Sequence, residues 1–75
     1  MKAAEKQYAT AQFNLAGMYQ YGTGTPTDLE KAFCWYSISS RNGYKDAKDY
    51  ADKIAKELKP EQIFTVKKKI TAMSC

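Results

Sequence analysis

Glycine and proline cut this chain into four segments, and each segment spaces its apolar residues at the three-and-four rhythm of a helix. Tyr21-Gly22-Thr23-Gly24-Thr25-Pro26 puts two glycines and a proline within six residues, Asn42-Gly43 makes a second break, and Pro60 a third. Between these breaks run Tyr8, Ala11, Leu15, Met18 and Tyr19; then Leu29, Ala32, Phe33, Tyr36 and Ser40; then Ala47, Tyr50, Ala51, Ile54, Ala55 and Leu58; and last Ile63, Val66 and Ile70. No segment alternates as a strand does. The expected fold is all-α: about four helices in antiparallel hairpins, stacked as a short α-solenoid in one domain over residues 1–75.

The helix ends carry their own signals. Thr27-Asp28-Leu29-Glu30 reads as a capping box, with Thr27 accepting from the Glu30 backbone and Glu30 reaching back. Asp28 adds negative charge at the positive end of the helix dipole. Gly43 suits the residue after a last helical turn. Pro60 suits the first turn of the fourth helix, where its missing N–H costs nothing; Lys59 before it is a weak cap, and fraying is expected near Met73. On the third helix, Asp49 with Lys53 and Asp52 with Lys56 form acid-first i,i+4 pairs.

Composition removes most chemistry. The chain has no His, which excludes Ser-His and Cys-His nucleophiles and every His-containing zinc site. Its two cysteines, Cys34 and Cys75, cannot complete a tetrahedral zinc site. Cys75 ends the chain, where order is least expected, so a bond between the two is not anticipated. Asp46, Asp49, Asp52 and Glu57 each sit near Lys, the pattern of solvated ion pairs rather than catalytic carboxylates. Gly22-Thr23-Gly24-Thr25 lacks both the preceding strand and the Gly-Lys-Ser/Thr ending of a phosphate cradle. Neither an enzymatic activity nor a cofactor or metal is expected. The longest apolar run, Ala32 to Tyr36, is far short of the roughly 20 residues a membrane span needs, and residues 1–6 have no signal-peptide core. The compartment is left open.

Size then becomes the constraint. At about 1.5 kcal/mol per ordered residue, a chain of this length only just offsets its conformational entropy. Six Tyr, three Phe and one Trp help, each able to bury about 150–250 Å².

Ala11-Gln12-Phe13-Asn14-Leu15-Ala16, Tyr19, Gly22 and Gly24, followed by Asp28, Lys31-Ala32 and Trp35-Tyr36, resemble the Sel1-like repeat. This relative of the tetratricopeptide repeat is a helix-turn-helix of about 36 residues. The departures are Ala16 in place of Gly, Thr25 where Val is common, and Ser39-Ser40 where two alanines are usual. A second repeat is not sustained: Leu58 and Pro60 fall where Gly22 and Gly24 would recur. The resemblance therefore implies one complete repeat over residues 1–43, then a partial repeat and capping helix over 44–75. It also implies a protein–protein adaptor without catalysis, forming the C-terminal end of a longer repeat protein. Tyr19, Trp35 and Tyr36 are expected to fill the gap between helices, with Ala11, Ala32 and Ala47 as their small partners.

Such repeats bind along the concave side built by the first helix of each pair. By that analogy the partner-binding positions are Thr10, Phe13, Gly17, Gln20 and Tyr21, and one period later Asp46, Asp49, Lys53 and Lys56. The expected partner is a protein or peptide. The free face of the first helix could also pair with a second copy. The alternative is a basic module: residues 59–75 carry net +3 of the chain's +4, and Lys67-Lys68-Lys69 could meet nucleic acid or an acidic surface. Because three consecutive lysines point in different directions around a helix, a solvated end helix is the simpler reading.

Overall fold

The structure, a computed structural model, describes residues 2–72 and 75, with side chains from Tyr8 onward. Four helices follow one another: α1 (Lys2–Tyr21), α2 (Leu29–Arg41), α3 (Ala47–Ala55) and α4 (Pro60–Ala72). No strand forms among the described residues. Met73, where fraying was expected, lies outside them.

The four helices are organised around α2, on which α1, α3 and α4 each make their principal contacts. Its buried residues Ala32, Phe33, Cys34, Tyr36, Ile38 and Ser39 leave it no continuous polar face, as befits a helix covered on several sides. α3 contributes Ala47, Ala51 and Ile54 to the core, and α4 contributes Val66 and Ile70, both as the stripes predicted.

α1 is turned from its expected orientation. Ala9, Gln12 and Ala16 are the buried positions, whereas Tyr8 is 66% exposed, Met18 46% exposed, and Ala11 lies at the surface. The reason is polar as much as apolar. Ser39, fully buried on α2, donates from Oγ to the Ala9 carbonyl at 2.6 Å, and Asn42 Nδ2 donates to Gln12 Oε1 at 2.7 Å. Small residues on that face let the backbones approach closely enough for both bonds. Leaving either buried group without a partner would cost about 1–3 kcal/mol.

The turn after α1 depends on Gly22. Its φ of +69° belongs to the left-handed region, and a Cβ there would lie 2.6 Å from Thr27 Oγ1. Thr27 thus packs back on the turn rather than capping α2. Asp28 is the cap instead, its Oδ1 accepting from the Lys31 N–H at 3.1 Å. Glu30, freed from the expected capping box, accepts from Gln62 Nε2 at 2.8 Å and so links α2 to α4. Gln62 Oε1 also accepts from the Lys59 N–H at 2.8 Å, covering the start of α4.

Two further expectations are corrected. On α3 an ion pair joins Lys48 to Asp52 at 3.4 Å, where Asp49 with Lys53 and Asp52 with Lys56 were the pairs expected. Exposed pairs of this kind are worth only about 0.2–1 kcal/mol, so pattern alone selects among them poorly. And Cys34 is joined to Cys75 by a disulfide, their Cα atoms 6.0 Å apart. The bond returns the chain end to buried Cys34 on α2. Closing a loop of 41 residues' separation stabilises by about 4 kcal/mol in the chain-entropy account, a large increment for so small a core.

Candidate functional site

The predicted groove residues of α1 lead to an aromatic cluster. Phe13 stacks on Tyr44 with ring centroids 4.3 Å apart and meets Tyr50 edge-on at 5.1 Å. It also meets Tyr36 at 5.3 Å, and Tyr36 in turn stacks on Tyr50 at 5.3 Å. Offset and edge-on pairs of this kind add about 0.5–1.5 kcal/mol each beyond area burial. One ring comes from α1, one from α2, one from the turn after Gly43 and one from α3, so the cluster sews the first three helices together.

Tyr36 is the buried member. Its hydroxyl donates to Gln20 Oε1 at 2.7 Å and passes close to Gly17, where an added Cβ would sit 3.5 Å away. Its ionisation is pushed up to about 12, first by burial and then by the neighbouring Tyr21 and Tyr50. The phenol therefore stays a hydrogen-bond donor across the physiological range.

Around this floor the nine predicted positions fall into two groups. Phe13, Gly17 and Gln20 are half-buried and converge on Tyr36. Thr10, Tyr21, Asp46, Asp49, Lys53 and Lys56 are exposed. Thr10 and Asp46 come together as walls of one cleft of about 270 Å³, shared with Ala9, Gly43, Tyr44 and Lys45. Lys53 holds its ammonium 5.5 Å above the Tyr50 ring, a cation–π placement that keeps the charge at the groove edge. Tyr44 and Tyr50 were missed as groove residues. Tyr50 was read as core because it lies on the apolar stripe of α3, and Tyr44 lies in a turn, where no period marks it.

A second cleft, about 210 Å³, opens on the other side of α1 and is lined by Tyr8, Ala11, Gln12, Leu15 and Trp35. Trp35 and Tyr19 are half-buried, while Tyr36 alone of the three expected fillers is enclosed. Among the described residues no group of His, Cys, Asp and Glu is placed to hold a metal ion. No helix among them is long and apolar enough to cross a membrane.

Helices in turn-linked succession, an aromatic floor between the first and third, and small residues at the close approaches define a helical-repeat interaction module. The Sel1 repeat family model matches residues 9–44. That segment matches the Sel1 repeat, a known protein–protein interaction motif of a generally non-catalytic family. Neither the comparison with curated proteins nor that with solved structures returned a match.

Proposed function

We propose that this chain is a non-catalytic adaptor that holds a peptide or protein segment along the groove between α1 and α3. The observation that carries this reading is that half-buried Phe13, Tyr44 and Tyr50 pack over enclosed Tyr36, which fixes their positions beside the cleft that Tyr44 lines. Tyr21, Lys53, Asp46 and Asp49 stand exposed beside these rings as polar and aromatic contacts. Rigid aromatics lose little conformational entropy on binding, which is why they dominate interface energetics.

The reading extends to repeat stacking, with residues 1–43 as the complete repeat and 44–75 closing the C-terminal end of a longer array. Ala47, Ala51 and Ile54 of α3 are buried against the α2 side of the core. Of their counterparts one period earlier, Ala11 and Met18 are exposed and Leu15 is half-buried, and Ala11 and Leu15 border the cleft that includes Tyr8 and Trp35. Residues 7–27 carry no charge, so this face suits an apolar helix face. A preceding repeat supplies such a face; a second copy of the chain is the other occupant.

Peptide display against the full chain tests the groove. Selected peptides should bind the Tyr21→Ala/Lys53→Glu variant roughly tenfold or more weakly, with helical circular dichroism unchanged because both side chains are exposed. Phe13→Asp is a poor probe, since Phe13 packs three rings. Peptides that bind both proteins equally would place the interaction elsewhere.

A further inference from the structure

The outer face of α4 sets an exposed aromatic among lysines. Val66 and Ile70 are buried, which fixes the rotation of the helix. Phe64 then projects outward at 62% exposure, with Lys68 one turn on along the same face and Lys67 and Lys69 exposed on its two flanks. The Lys68 ammonium lies 4.6 Å from the Phe64 ring centroid. Thr65 and Thr71 tie their hydroxyls back to the carbonyls of Glu61 and Lys67, so they do not compete for a ligand here. Glu61, one turn before Phe64, is the single acid from residue 59 onward, against four lysines.

Phe64 is not packed against the core cluster and stands among cations. We infer that this face docks on an anionic phospholipid surface. The lysines meet the headgroup phosphates, and Phe64 enters the boundary between headgroup and acyl chain. Lys68, already poised over the ring, moves to a phosphate as the ring enters.

The chemistry favours lipid over nucleic acid on two counts. The charges are lysines, compact and without the planar fork that reads phosphate and base edges in pairs. The face also carries a single exposed aromatic whose ring already bears an ammonium, so it offers no platform for successive bases. Duplex DNA would engage the lysines and leave Phe64 idle.

Co-sedimentation of the full chain with vesicles tests the inference. Vesicles of phosphatidylcholine alone should leave the protein in solution, and an equimolar mixture with phosphatidylglycerol should carry it down, less so at high salt. Lys67→Gln/Lys68→Gln/Lys69→Gln together should weaken this by roughly a hundredfold, and Phe64→Ser by about fivefold. Because all four side chains are exposed, circular dichroism should be unchanged in both variants. Equal partition on the two vesicle types, or binding that survives the triple substitution, would overturn the proposal. So would Phe64→Ser binding as the parent does while duplex DNA competes fully, which would make nucleic acid the occupant.

Discussion

α1 and α3 carry the same kind of stripe one period apart, yet they meet opposite fates. On α3, Ala47, Ala51 and Ile54 are 0%, 5% and 1% exposed. On α1 the matching Ala11 is exposed, Leu15 half-buried and Met18 46% exposed. The residue types are similar and so is the spacing; what differs is the neighbour. α2 precedes α3 and covers it, whereas no helix of the described structure lies over the equivalent face of α1. A helix stripe thus states what a face can bury, and the adjoining helix decides whether it does.

The sharpest way to break this comparison is to truncate both faces. Ile54→Ala should cost about 3 kcal/mol, because it removes buried methyl groups and leaves a cavity. Met18→Ala should cost under about 0.5 kcal/mol, as surface changes generally do. Urea unfolding of each variant measures both. If Met18→Ala proves as costly as Ile54→Ala, the α1 face is covered in solution, by a second copy or otherwise. Dilution would then restore the difference in the case of self-association.

The same contrast explains how much could be read in advance. The helix count, the stripes of α3 and α4 and the repeat spacing were all legible, because each depends on local pattern. The inward face of α1 was not. Ala9, Gln12 and Ala16 make a weaker apolar signal than Tyr8, Leu15 and Met18, and their burial depends on Ser39 and Asn42 thirty residues away. The Cys34–Cys75 bond escaped for a similar reason: nothing local announces that the chain end returns to α2. For the candidate groove, analogy with related repeats pointed to Phe13 and Gln20, but only packing brings Tyr44 and Tyr50 to meet Phe13.

A smaller effect probes the seam where the two helices meet. Tyr36 bonds Gln20 of α1 and stacks on Tyr50 of α3, so its charge state is felt by both. Its ionisation is raised to about 12, against about 10 in an unfolded chain. Below pH ~10 both states hold the proton and the contribution to stability is intact. Between pH ~10 and ~12 the unfolded chain releases it first, so the folded state loses about 2 kcal/mol as pH rises. Urea midpoints across this window should fall more steeply for the parent than for Tyr36→Phe. Parallel profiles would mean that Tyr36 ionises as readily folded as unfolded, and that the seam is wetter than its packing indicates.

The smallest expected change compares two glycines, one within α1 and one in the turn that follows it. Gly17 lies inside α1, where a Cβ would meet only the Tyr36 hydroxyl, at an ordinary contact distance of 3.5 Å. Gly17→Ala should therefore stabilise by about 0.5–1 kcal/mol, because alanine loses less conformational freedom in a helix. Gly22→Ala, five residues on, should act in the opposite direction. There φ is +69° and the new Cβ would press to 2.6 Å from Thr27 Oγ1, forcing the turn open at a cost of about 1–2 kcal/mol. Thermal melts of the two variants separate the cases by sign alone. A loss of stability in Gly17→Ala would show that Tyr36 has no room to yield, and that the glycine is required by the ring beneath it rather than tolerated within the helix.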